Sequence, residues 1–173
     1  MRKVLYILSR LTDEDVDWMA TAGKPQRHEA GDILISQGEP VGTLMFVLDG
    51  KVSVELQGVG QIASLGSGEM LGEMSLVDEA PPSATVVVTE PTHVLHIDHR
   101  VLNAKLDIDP YFAARLYRAI AVFLSMRMRS TVQQLGYGKA AAFGEDEIDM
   151  SFLDAVTLAG SRFDRLVKKL LTA

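Results

Sequence analysis

Between Ile33 and Ile97 the apolar residues come in short β-rich runs, whereas the flanking segments carry them at helical spacing. The runs are Ile33 to Ile35, Leu44 to Leu48, Val52 to Leu56, Ala84 to Val88 and His93 to Ile97. Turn residues separate them: Gly31-Asp32, Gly38-Glu39-Pro40, Asp49-Gly50, Gly58, Gly60, Gly66, Gly68 and Pro81-Pro82. Many short strands at this spacing predict an antiparallel sandwich or barrel rather than a parallel sheet with crossover helices. Asp49-Gly50, between two alternating apolar runs, predicts a tight hairpin. Ahead of the strands, Thr12 followed by Asp15 is a helix-start signature, and Leu11 and Val16 are spaced as a hydrophobic staple. Val16, Met19 and Ala20 give that helix an apolar face, and Gly23 with Pro25 ends it.

Past the strands, Asp109 supplies an N-cap and Pro110 a first helical residue for the longest helix, with Gly136 as its terminator. Phe112, Leu116, Ala119, Phe123 and Met126 form one stripe along it, which Ile120 and Leu124 widen. So much apolar surface predicts packing against the β body and against a second copy of the chain, giving a homodimer. Residues 136–150 read as a linker. Residues 151–173 read as a C-terminal helix, with Leu153, Val156, Gly160, Phe163, Val167 and Leu170 in heptad-like order. The domain expectation is therefore 1–135 for the β-rich body with its long helix, then linker, then C-terminal helix.

Charge and composition narrow the function. With 17 basic and 23 acidic residues the net charge is −6, which disfavours a general binder of nucleic acid or anionic membrane. The charge is unevenly spread: residues 111–140 contain no acid but carry Arg115, Arg118, Arg127 and Arg129. The longest apolar run, Ala119 to Leu124, is too short to span a membrane, and the N-terminus is interrupted too soon for a signal peptide. The absence of cysteine excludes disulfides, thiol catalysis and cysteine-ligated metals, and argues for a cytoplasmic location.

The stretch with chemistry in it runs from Gly66 through Gly72-Glu73-Met74-Ser75 to Pro81-Pro82-Ser83-Ala84-Thr85. Glycines let backbone amides approach an anion closely, and consecutive amides form a nest. A loop offering amides to a phosphate and one carboxylate to a sugar is a nucleotide-binding device. Other readings of the motifs fare worse. Gly58-Val-Gly60 imitates a dinucleotide fingerprint but no helix follows it. His93, His96 and His99 do not converge on a metal, because His96 faces away from the other two along a strand. No nucleophile elbow, phosphate-loop lysine or spaced carboxylate pair occurs, so no catalytic residue is assigned.

These residues resemble the cyclic nucleotide-binding domain superfamily. Gly31-Asp-Ile-Leu-Ile-Ser-Gln-Gly38-Glu39 is similar to its opening strand and turn, and Leu44-Met-Phe-Val-Leu-Asp-Gly50-Lys-Val-Ser-Val to its central hairpin. Leu71-Gly-Glu-Met-Ser-Leu with Ala84-Thr-Val is similar to its phosphate-binding cassette. The resemblance implies a mainly β fold, a double-stranded β-helix or jelly roll, followed by a long helix and here by one extra helix. It implies cyclic AMP or cyclic GMP as ligand and regulation or signal transduction as the role. Glu73 would hold the ribose 2′-hydroxyl, the amides of Gly72, Met74, Ser75, Ser83 and Ala84 would face the cyclic phosphate, and the long helix would close over the base. The family's phosphate-clamping arginine position is Pro82 here, with Arg127 or Arg129 as substitutes from the long helix. Ser83 is compatible with either base.

Alternatives stand beside these assignments. Glu73 could cap a short helix, Arg127 and Arg129 could be solvated, and Arg129 could pair with the acidic segment around Glu145. The functional alternative is a domain that has lost its ligand and serves as a protein-interaction or dimerisation module. A DNA-binding regulator is disfavoured, since the segment after residue 135 reads as a linker and one helix, not a winged helix-turn-helix.

Overall fold

A computed structural model describes residues 8–134 and 150–171. Helix α1 (Asp13–Ala22) begins as its sequence dictates: the Asp15 amide donates to the Thr12 hydroxyl, and the Thr12 amide donates back to the Asp15 carboxylate. Six strands follow, β1 (Lys24–His28), β2 (Ile33–Ile35), β3 (Thr43–Leu56), β4 (Gly60–Gly66), β5 (Met70–Leu71) and β6 (Thr85–Asp98). All pair antiparallel in the order β1-β6-β3-β4, with β2 added to β6 and β5 to β3. Helix α2 (Glu73–Asp78) interrupts the strands; α3 (His99–Ile108), α4 (Pro110–Gln134) and α5 (Met150–Leu171) come after them.

The expected Asp49-Gly50 hairpin does not form. Chain reversal is absent there because both apolar runs belong to one strand, β3, whose register against β6 slips between Val47 and Val52. Gly50 at φ +95° makes the bend, and a Cβ would run into Thr92 and the Pro91 carbonyl. The buried Thr92 hydroxyl secures it, accepting from the Lys51 amide at 3.0 Å and donating to the Glu90 carbonyl at 2.6 Å. The reversal falls instead between β3 and β4, at Gln57 to Val59. Ala84 to Val88 and His93 to Ile97 likewise merge into the single strand β6. Strand β1 and helix α3 had no counterpart in the sequence reading.

Two cores result. On β3, Met45, Val47 and Val52 point into the roll with Ile35, Leu65, Leu71, Val86, Val88 and Val94. Leu44, Phe46 and Leu48, on the other face, meet the helices. That two-sided burial is why Leu44 to Leu48 is apolar without alternation. Phe112, Leu116, Ala119, Ile120 and Phe123 of α4 are all buried in the helical core with Met70 and Leu76, so the stripe read from the sequence lies on the β body. Each fully buried side chain of this kind stabilises by about 1.5–3 kcal/mol. Helix α5 joins the same core through Ala159, Phe163 and Leu166. The expected linker and the Arg129–Glu145 pairing involve residues outside those described.

Candidate functional site

The cassette is assembled around Gly72, which caps α2 in the left-handed region at φ +79°. A Cβ at Gly72 would strike the Thr43 carbonyl, so glycine is required for the loop to pack under β3. Glu73 then begins α2, and its carboxylate is turned inward with only 2% of the side chain exposed. Ser75 is buried and spends its hydroxyl on the Ala80 carbonyl at 2.9 Å, closing the turn that ends the helix. Met74 is half exposed. The return strand is fastened separately: the Gly38 amide donates to the Pro82 carbonyl at 2.9 Å and the Gln37 amide to the Thr85 hydroxyl at 3.1 Å. Ser83 is exposed and Ala84 half-buried on that return.

Arg127 of α4 reaches into the cassette. Its Nη1 donates to Glu73 Oε1 at 2.7 Å, its Nη2 to the Met70 carbonyl at 3.2 Å, and Glu69 lies 3.9 Å away. The guanidinium also stacks over Phe123, 4.5 Å from the ring centre. Burial pushes the Glu73 carboxyl above its ordinary value and Glu69 adds to the push, while Arg127 pulls it back. The site thus holds a costly buried carboxylate whose charged compensation comes from the long helix α4. Arg129 remains exposed on another face of α4.

Glu73 and Arg127 were each named from the sequence, but their partnership was not. The signal was present as charge: an acid-free helix carrying arginines, and two acids, Glu69 and Glu73, four residues apart in the cassette. Two cavities flank the site. One of about 450 Å³ opens beside the return, next to Gln37, Glu55 and Thr85. The other, of about 260 Å³, lies behind α2 beside Val41, Leu76 and His99. Glu73 and Arg127 line neither of these two.

Among the described residues the histidines form no metal cluster. His96 instead meets His28, Nε2 to Nε2 at 3.0 Å, and burial together with His28 lowers its pKa to about 4. No helix among the described residues is long and apolar enough to cross a membrane.

Comparison with known proteins agrees with the geometry. Residues 25–109 match the family model for the cyclic nucleotide-binding domain. The acetyltransferase Pat of Mycolicibacterium smegmatis is 37% identical over 76 residues, 42% of this chain and 23% of that protein. A cAMP-dependent protein kinase regulatory subunit of Hypocrea atroviridis is 31% identical over 88 residues, 51% of this chain and 19% of that protein. The chain therefore spans less than a quarter of the length of these two relatives. In three dimensions it is similar to a cyclic nucleotide-binding domain from Methylobacillus flagellatus, with a TM-score of 0.70 at 22% identity, covering 82% of this chain and 85% of the other. The left-handed glycine, the inward glutamate and the long helix are set on a roll of the same fold, and residues 25–109 match the cyclic nucleotide-binding domain family.

Proposed function

We propose that this chain is a cyclic nucleotide-responsive regulatory domain in which Arg127 holds the ligand's place on Glu73. The observation that carries the reading is the 2.7 Å Arg127–Glu73 pair, because it joins the cassette to the long helix at the carboxylate that a ribose hydroxyl would use. A nucleotide that takes Glu73 must displace the guanidinium, so binding and movement of α4 become one event. The half of α4 beyond Phe123 then leaves the cassette, while its first turns stay fixed on α1 by Arg115 and Phe112. The core side chains near the cassette, Met70 and Leu76, repack with it.

The outward face of α4 supports a homodimer. Ala114, Tyr117, Ala121, Leu124, Met128 and Thr131 recur at alternating steps of three and four, a coiled-coil seam that meets the buried stripe at Leu124, which packs partly on the core. Tyr117 is 42% and Met128 70% exposed, so this seam awaits a partner helix. A second copy would read the movement of α4 directly.

A specific observation favours the second reading, a ligand-independent interaction module: Pro82 replaces the phosphate-clamping arginine. A hydrogen bond to a charged group contributes about 1.5–3 kcal/mol, which is roughly 10- to 100-fold in affinity. Thermal denaturation against cyclic AMP, cyclic GMP and cyclic dinucleotides separates the two. A ligand at about 100 times its dissociation constant adds about 2.7 kcal/mol of stability. Glu73→Ala removes that shift and Pro82→Arg enlarges it. An unshifted transition with every nucleotide at millimolar concentration favours the interaction module instead.

A further inference from the structure

Helix α5 is seated on α1 by an apolar strip bordered by charge. Ala159, Phe163 and Leu166 are buried in the helical core, and α1 shares that core through Val16, Met19 and Ala20. Along one edge Arg162 donates to Asp13 at 2.6 Å, Arg165 donates to Asp17 at 2.6 Å, and Lys169 reaches Asp17 at 3.4 Å. Asp13 and Asp17 stand one helical turn apart, and the three cations follow at positions that share one face of α5. Arg162 also donates to the Leu8 carbonyl at 3.1 Å. The carboxylates of these pairs are 57% and 36% exposed, so the clamp lies within reach of salt and of competing carboxylates.

We propose that α5 is a docking helix for an acidic protein surface, and that α1 occupies its binding face in the resting chain. What α1 presents to α5, two carboxylates a turn apart beside an apolar strip, defines the partner's chemistry: an amphipathic helix with an acidic edge. An anionic bilayer fits less well, since α5 carries Asp154 and Asp164 against its four cations. The ion pairs hold weakly and the apolar strip supplies most of the hold, but α5 packs chiefly on α1 and not on the strands, so it opens locally without unfolding the roll. The inference is independent of nucleotide binding, and its test needs no nucleotide.

Hydrogen–deuterium exchange on the full chain reads the latch. In the Asp13→Asn/Asp17→Asn variant, exchange in residues 159–170 accelerates roughly 3- to 10-fold, the effect expected for losing exposed pairs, while β3 and β6 keep their protection. The Arg165→Gln/Lys169→Gln variant, altered on the other side of the interface, accelerates the same amides. In the second arm, a fluorescein-labelled, helix-stapled peptide of residues 8–23 is the acidic probe. It binds the full-length Asp13→Asn/Asp17→Asn chain more tightly than the wild type, whose α5 is occupied, and high salt removes the difference. Unchanged α5 exchange in both variants overturns the latch. Equal peptide binding to both chains, or capture of the Asn variant by phosphatidylserine vesicles in place of the peptide, overturns the acidic-protein partner.

Discussion

Two carboxylate–guanidinium pairs fasten α4 to the rest of the molecule, and they are opposites in electrostatic character. At the start of the helix Arg115 grips Asp15 through both oxygens, Nε to Oδ2 at 2.7 Å and Nη2 to Oδ1 at 2.8 Å. Near its end Arg127 gives Glu73 a single bond at 2.7 Å and spends its other donor on a carbonyl. The acids are similarly hidden, with 5% and 2% of their side chains exposed. Burial acts to raise both, yet at Asp15 the Arg115 bond and the Thr12 amide overcome it and the pKa falls below its ordinary value. At Glu73, where Glu69 stands nearby, burial wins and the pKa rises. The two holds differ in depth and in donors: Asp15 is the more shallowly desolvated acid and has more donors, whereas Glu73 lies deeper with fewer. Asp15–Arg115, with Trp18 edge-on to Phe112 at 5.3 Å, is an anchor, while Glu73–Arg127 is the fastening suited to exchange.

The comparison breaks most visibly when each cation is removed. Arg127→Met leaves a buried carboxylate without a counter-charge, and denaturant unfolding near neutral pH should show a loss of about 3–5 kcal/mol. Arg115→Met should lose less, about 1.5–3 kcal/mol, because Asp15 keeps the Thr12 amide.

Acid titration sharpens the contrast once a larger background is removed. His96 is held near pKa 4, below its ordinary 6.5, so its neutral form contributes stability that is complete above pH 6.5. That contribution is lost as pH falls from 6.5 toward 4. His96→Gln should flatten this window in stability measured against pH. The carboxylates then separate. Asp15, lowered, contributes stability above the ordinary aspartate range that disappears as pH falls through its folded value. Glu73, raised, does the reverse: the folded chain takes up the proton first, so stability declines as pH rises through the interval above the ordinary glutamate value.

Neutral isosteres give a smaller effect of differing size. Asp15→Asn should cost about 1.5–3 kcal/mol, as expected for charge-assisted bonds. Glu73→Gln should remain within about 1 kcal/mol of the wild type, since removing a desolvated charge offsets the weakened bond to Arg127. Equal losses in the two variants would erase the distinction between anchor and exchangeable pair.

Much of this architecture was legible in the chain. The Thr12–Asp15 cap, the strand Ile33 to Ile35, the proline-opened α4 and the cassette from Gly66 to Thr85 follow from local rules that tertiary contacts did not override. Asp49-Gly50 misled because a glycine with positive φ serves a bulge as well as a hairpin, and Thr92, distant in sequence, selects between them. Strand β1, Lys24 to His28, was hidden because a mostly exposed strand beginning Lys-Pro has no apolar alternation to read. The pairing of Glu73 with Arg127 spans 54 residues and depends on where α4 crosses the cassette, which no local pattern encodes.

Calorimetric titration of cyclic AMP and cyclic GMP into the wild type and Arg127→Gln tests the exchange at Glu73 most directly. Freed from its internal competitor, the variant should bind the preferred nucleotide about 10-fold more tightly, the equivalent of one charge-assisted bond. Equal or weaker binding by Arg127→Gln would contradict the account.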